Sequence, residues 1–363
     1  AGERWATLRR LGAVGTISVA NPRAMDVPWA RSAPNRLNPA MALADPSLDE
    51  TAGQQLAVAF NPARAERLFA GAPHTFAEIL QLADAGRPLP HFALPSSVRA
   101  TIAVDSQNVE SQNVVGIVRG RDPALAHEYV VLTAHLDHVG IGAPIDGDAI
   151  YNGAMDNASG VATLLEAASA VVAARPKRSV VFVAVTAEEK GLLGSRYFAL
   201  HPTVPKDDIV ADINLDMFLP LFPLKTLMVL GLDESDLGDD VRAVAAAAGL
   251  EVQADPEPQR NRFIRSDQYS FVRQGVPALA MKVGYQEGSP EAATAAEWTR
   301  VRYHAPSDDL DQPIDRSAAA AFTALVGELC LRVANREARP QWAPGSFFRR
   351  FAGPDPAGAT DVR

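Results

Sequence analysis

Two histidines and a set of carboxylates in this chain stand where a divalent metal centre would need them, each at a break in the apolar pattern. His135 closes the apolar run Tyr129-Val130-Val131-Leu132-Thr133, and Asp137 follows two residues later. A carboxylate at that spacing is expected to accept the other ring N–H of His135, which fixes the tautomer and raises the basicity of a metal-binding imidazole. The loop then passes Gly140, Gly142, Gly147 and Gly153 and reaches Asp156-Asn157 where a helical pattern begins, so it can return the Asp156 carboxylate to a metal held by His135. Glu188 and Glu189 follow the Val-rich stretch 179–186, Asp216 follows the apolar stretch 209–214, and His304 lies in the segment Arg302-Tyr303-His304-Ala305-Pro306-Ser307-Asp308-Asp309.

Counted together, these groups supply one complete site for two zinc ions, which at a separation of roughly 3.5–4 Å need a bridging carboxylate and terminal His and Asp/Glu ligands. Asp156 is the expected bridge, with His135 and Asp216 on one ion and Glu189 and His304 on the other. Glu188 is then left unligated as the group that takes and delivers protons. Singly, each feature has an ordinary explanation: a histidine after a strand is usually solvated, a Glu-Glu pair usually faces water, and an Asp before Asn usually caps a helix. Their joint appearance at successive strand ends favours the site. His138 resembles a partner for His135, but the count leaves it no role, and it is expected to be a loop residue or to stand behind the ligands.

The elements that must position these residues alternate from about residue 99 onward. Strands are expected at 99–104, 113–119, 128–133, 179–186, 209–216, 226–231 and 278–283, with helices at 160–174, 192–200, 239–248, 266–274 and 318–335. That order predicts an α/β fold, a three-layer sandwich around a mostly parallel central sheet, whose strands present functional groups at their carboxyl ends. Before it, residues 1–90 carry short helix and strand signals, an irregular Pro- and Ala-rich stretch at 22–50, and no catalytic pattern. Leu89–Ser97, with Pro90 and Pro95, is the expected linker, 91–338 the expected catalytic domain, and 339–363 a loose C-terminal extension. The 363 residues are 47% hydrophobic and carry a formal net charge of −9, which argues against nucleic acid or an anionic membrane as partner. No run approaches the ~18 consecutive apolar residues of a membrane span. The single Cys330, in a helical pattern, excludes a disulfide framework and a thiolate zinc site.

The motifs AHLDHVG, NGAMDNASG, TAEEKGLLGS, NLDM and the late YH resemble, in order, those of metallopeptidase family twenty-eight, the co-catalytic di-zinc aminopeptidases and their glutamate carboxypeptidase relatives. The resemblance spans about residues 99–335. It implies metal ligands His135, Asp156, Glu189, Asp216 and His304, with Asp137 behind His135 and Glu188 as general base. It further implies that Tyr303 donates a hydrogen bond to the tetrahedral oxyanion, and that the Asp156–Asn157 peptide bond is cis. Trp5–Ala20, with RLGAVGTISVAN, resembles the helix and strand of a protease-associated domain, so that the chain would start inside such an insertion. Arg265-Ser266-Asp267-Gln268 departs from the Ser-Asp-His common in relatives. The expected activity is zinc-dependent hydrolysis of N-terminal peptide bonds by a metal-bridging hydroxide, with peptides as substrates and two Zn2+ ions as cofactors. A carboxypeptidase or dipeptidase with the same metals, or a metal-free receptor-like protein, are the rivals. Export from a bacterial cell is the expected localisation.

Overall fold

A computed structural model defines the fold and describes residues 2–353. The chain divides into two compact units, Ala1–Glu110 and Ser111–Arg363. In the first, α1 (Gly2–Arg10) leads to β1 (Gly15–Val19), which pairs in parallel with β2 (Leu56–Phe60). Between them lie short helical turns, including α2 (Trp29–Ser32), and after them α3 (Glu66–Phe69) and α4 (Phe76–Asp84). Thr75 starts α4 through a reciprocal capping box with Glu78. The expected strand at 99–104 is absent: Arg99-Ala-Thr-Ile-Ala-Val alternates in β-favouring residues but is exposed throughout, and such a pattern forms no strand without a neighbour to pair with.

The second unit is the expected three-layer α/β sandwich. Its strands are β3 (Val114–Val118), β4 (Tyr129–His135), a hairpin of β5 (Gly140–Ile145) and β6 (Asp148–Tyr151), β7 (Ser179–Val185), β8 (Ile209–Asn214), β9 (Thr226–Leu230), β10 (Glu251–Ala254) and β11 (Ala278–Gly284). Seven of them form one sheet in the order β10-β9-β11-β8-β4-β7-β3. The middle of the sheet is parallel, β11 with β8, β8 with β4 and β4 with β7, while β3 and β9 run against their neighbours β7 and β11. Helices α5 (Ser159–Ala174), α7 (Leu237–Ala247) and α10 (Arg316–Asn335) cover one face, burying Leu164, Val171, Val241, Phe322 and Leu329 against Val130, Leu132 and Ile213. Helices α6 (Leu193–Leu200) and α8 (Gln268–Val272) cover the other, where Phe198 and Phe271 meet Tyr129, Val131, Val181 and Val183. With both faces covered, every residue of β4, β7 and β8 is buried, which is why their sequences read as continuous apolar runs. Residues Ala154–Ala174 and α10 are long and apolar enough by composition to cross a membrane, and both bury a face in this core.

Among the described residues of the second unit, four elements escaped the sequence. The glycine-rich loop contains the β5–β6 hairpin, β10 is a four-residue edge strand, and α9 (Pro290–Val301) buries only Ala295 and Trp298. The α9 start signal was nonetheless written in Ser289-Pro290, a capping serine before a first-turn proline. The tail is not loose where it is described: Trp342 is buried and donates its indole N–H to the Gly275 carbonyl at 2.8 Å, beside Phe263 and Phe348. The rest of that expected extension, 354–363, lies outside the described residues.

Candidate metal centre

The parallel register of β4 with β7 sets His135 opposite Val185, and that of β4 with β8 sets Thr133 opposite Asn214, so three strands end side by side. His135 is buried at the end of β4, its Nε2 2.9 Å from Asp156 Oδ1 and 3.6 Å from Asp216 Oδ1. Burial alone would lower the pKa of this imidazole, but contact with the two carboxylates outweighs it and raises the pKa well above its usual value. The other ring nitrogen, Nδ1, faces the Asp137 backbone carbonyl at 3.0 Å. The expected use of the Asp137 carboxylate is therefore corrected. That carboxylate instead accepts bonds from Thr186 Oγ1 at 2.8 Å and from the Ala187 N–H at 2.6 Å, because the chain turns outward after His135 and a carbonyl reaches the ring first.

Asp156 is fixed from behind by groups far away in sequence. The Asp308 carboxylate accepts the backbone N–H of Met155 at 2.8 Å and of Asp156 at 2.9 Å. Asn157 donates its side-chain amide to the Leu215 carbonyl at 2.8 Å, while its Oδ1 accepts the Gly160 N–H at 3.1 Å. The Asp156–Asn157 peptide bond is cis. Asp156 is 2% exposed; burial pushes its pKa up, yet His135 and His304 more than reverse this and hold the carboxyl well below the usual range.

Past β7, Ala187 takes a left-handed conformation, φ 55°, and Glu188–Lys190 form one tight turn. The turn separates the two glutamates. Glu189 stands between two imidazoles, with Oε1 2.8 Å from His138 Nδ1 and Oε2 3.2 Å from His304 Nε2, and these contacts bring its pKa down against the upward push of burial. Glu188 is held well above the usual carboxylate range by burial and by the charges of Asp216 and Asp267. His304, at φ 52°, also lies 3.3 Å from Asp156 Oδ2, and its pKa is raised to about 10 by these carboxylates despite burial. The Tyr303 ring packs 3.9 Å from that of His304, and burial with the nearby carboxylates raises its pKa well above normal, so the phenol keeps its proton.

Two groups of mutually close donor atoms result, His135-Asp156-Asp216 and His138-Asp156-Glu189, sharing Asp156. His135 Nε2, His138 Nδ1 and Glu189 Oε1 are buried in ion-pair contact but without an aligned hydrogen bond, and His138 Nε2 is buried without a hydrogen-bond partner. Buried polar atoms left so are costly, and a cation between them is the simplest remedy, so the residues fit a metal centre.

Residues 113–330 match the model of peptidase family M28, and that span is more than half of the chain. The chain belongs to peptidase family M28. Its relatives include a probable leucine aminopeptidase 2 of Aspergillus oryzae, 29% identical over 62% of this chain and 46% of the relative. Leupeptin-inactivating enzyme 1 of Streptomyces exfoliatus is 28% identical over 61% of this chain and 49% of that protein. The chain thus spans about half the length of the curated relatives it matches. A solved zinc aminopeptidase from Bacillus subtilis aligns at 25% identity with a TM-score of 0.48, covering 63% of this chain and 52% of that one. The M28 match leaves residues 1–112 outside it.

Within this M28 unit, the structure brings His135, Asp156, Glu189, Asp216 and His304 into one cluster with Glu188, Tyr303 and Asp137 at its border. It also brings in His138, which the sequence reading had set aside, because the β5–β6 hairpin folds the loop back and leaves that ring facing inward. Asp308 was missed as well; its only signal was its place four residues after His304. Gln268 is fully buried and accepts the Asn214 side-chain amide at 2.7 Å while donating to the Phe263 carbonyl at 2.8 Å. It braces the end of β8, two residues before Asp216.

Proposed function

We propose that this chain is a zinc-dependent exopeptidase that removes residues from the N-terminus of peptides, with two zinc ions held through Asp156 as the shared ligand. The observation that carries the reading is the Asp156 carboxylate itself: Oδ1 faces His135 and Oδ2 faces His304 and His138, as a bridge between two cations requires. His135 and Asp216 would serve one ion, and Glu189 and His304 the other. When bound, such ions polarise a carbonyl oxygen and lower the pKa of a coordinated water toward ~7.

The chain's own groups then have separable tasks. Glu188, whose surroundings favour proton uptake, accepts a proton from the attacking water and returns it to the leaving amine nitrogen as the C–N bond breaks. Tyr303, kept protonated, donates to the carbonyl oxygen as negative charge develops there. Asp137 acts at a distance, holding Thr186 and Ala187 and so the turn that presents Glu188 and Glu189.

The choice of the amino end follows from charge. A carboxypeptidase needs a free cation for the substrate carboxylate, but Arg262 is bound to Asp255 at 2.7 Å and to Glu257, and Arg260 to Glu257 at 2.8 Å. Arg302 donates to the Ser307 carbonyl. Lys282, half-buried on β11, lies in the field of Asp216 and Asp156, and burial lowers its pKa. Arg265, whose charge reaches Tyr303, is likewise engaged in an interaction of its own, and the carboxylates around Asp156 suit a substrate ammonium. Residues 1–90 we take to be part of a protease-associated domain, on the strength of RLGAVGTISVAN. The test compares leucine anilide with its N-acetylated form, using zinc-loaded protein: the free amine is expected to be cleaved and the blocked one to resist. Equal cleavage of both would remove the N-terminal specificity.

A further inference from the structure

We propose that His138 is itself a metal ligand, so that the Glu189 end of the centre offers a closed set of four protein ligands, His138, Asp156, Glu189 and His304. The His135 end, by contrast, offers three, His135, Asp156 and Asp216. The inference rests on the zinc reading above and deepens it by making the two positions unequal.

The distances bring both imidazoles to the same two carboxylates: His138, Asp156 and Glu189 form one set of mutually close donors, and His304 reaches Asp156 and Glu189. Zinc–nitrogen and zinc–oxygen bonds of about 2.0–2.1 Å put the corners of a tetrahedron about 3.3–3.4 Å apart. His304 Nε2 lies 3.3 Å from Asp156 Oδ2 and 3.2 Å from Glu189 Oε2. His138 Nδ1 lies 2.8 Å from Glu189 Oε1 and 3.8 Å from Asp156 Oδ2, so the two imidazoles address the same pair of carboxylates from different sides. Their rings stand 5.5 Å apart and nearly perpendicular, at 70°.

The second support is burial. The His138 side chain is 5% exposed; its Nδ1 faces carboxylates alone, Glu189 Oε1 and Asp156 Oδ2, with no aligned hydrogen bond, and its Nε2 is buried without a hydrogen-bond partner. An ordinary loop histidine would turn at least one nitrogen to water or to a carbonyl. Its place is also built. Gly153, at φ 68°, packs so closely that a Cβ there would stand 2.6 Å from His138 Cβ and 2.7 Å from Cγ, and the β5–β6 hairpin closes the loop between the two residues.

Four protein ligands are the mark of closed zinc sites, whereas catalytic positions keep one corner open. The Glu189 end is therefore the position that fills first and holds its ion most tightly, and the His135 end is the open one, next to Glu188. The test is stepwise zinc uptake by the metal-free full chain against a competing chelator, with X-ray absorption of the protein loaded with one equivalent. Two separated steps and two imidazoles per zinc at the first equivalent are expected. In His138→Leu the tight step should weaken by at least about 100-fold, the upper end of what losing a supporting neighbour costs, while the weaker step remains. A single imidazole at the first equivalent, or zinc uptake by His138→Leu indistinguishable from wild type, overturns the proposal. Should His138→Leu fail to fold, as judged by thermal melting without metal, the imidazole count on the wild-type protein decides alone. A wild-type chain that takes up no zinc overturns instead the functional reading on which the proposal stands.

Discussion

Glu188 and Glu189 are adjacent in sequence and opposite in circumstance. Glu189 is drawn down in pKa by two imidazoles, while Glu188 is pushed up by burial and by Asp216 and Asp267. One is thus prepared to hold a cation and the other to accept a proton, and the tight turn after Ala187 is what sends them different ways. Glu188→Gln is accordingly expected to keep the fold and the zinc content while lowering kcat by about 10²–10⁴-fold. Metal analysis beside turnover measurement checks both halves, and a variant that has lost its zinc would reverse the division of labour. Asp156→Asn should lose zinc and activity together, since it weakens the ligand shared by both ends.

At the scale of the element, α5 begins where Asp156 must be held, and its first turn is packed to the limit. A Cβ on Gly160 would stand 2.2 Å from Asn157 Oδ1 and 2.4 Å from the Leu215 carbonyl, the very contacts that tie the Asp156 loop to the end of β8. Gly160→Ala should destabilise the protein by about 1–3 kcal/mol. Gly327→Ala in the middle of α10 is the contrast: its Cβ would meet only Ala170 Cβ at 3.6 Å, an ordinary contact. It should leave stability unchanged or raise it by up to about 1 kcal/mol, because alanine is the better helix former. Urea unfolding of the two variants separates these outcomes, and equal midpoints would contradict the packing account.

The second unit is tied across its base by an ion-pair cluster whose centre, Arg178 and Glu128, is buried while Arg339 caps it from the surface. Arg178, fully buried, donates to Glu128 at 2.6 Å and Arg339 donates to the other carboxylate oxygen at 2.7 Å, joining the start of β4, the start of β7 and the C-terminal tail. Burial alone would raise the Glu128 pKa, but the two arginines hold it below its ordinary value of 4.5. Between those values the unfolded chain binds more protons at Glu128 than the folded one. The contribution is therefore complete above pH 4.5 and is lost as pH falls through the lower folded value. Denaturant unfolding of metal-free protein from pH 6 down to 3 should show a steeper acid loss for wild type than for Glu128→Gln. Parallel curves would remove Glu128 from the account.

What the sequence determined by itself was the set of strand ends and the groups they carry. The buried strands announce themselves because both faces are covered, and His135, Glu188, Glu189 and Asp216 follow directly from where those apolar runs stop. A local signal such as Thr75 before α4 is legible for a different reason, that a cap acts within one turn. Tertiary structure alone decided what meets across long separations. Asp308 reaches back to Met155 and Asp156, and Gln268 supports Asn214. His138, set aside on the ligand count, turns inward because a hairpin of weak alternation and a glycine at positive φ close around it. The Asp137 carboxylate went to a turn rather than to the ring it was expected to hold, because spacing along a chain fixes distance but not direction. Which atom faces which metal position is a property of the packed sheet, and no periodicity records it.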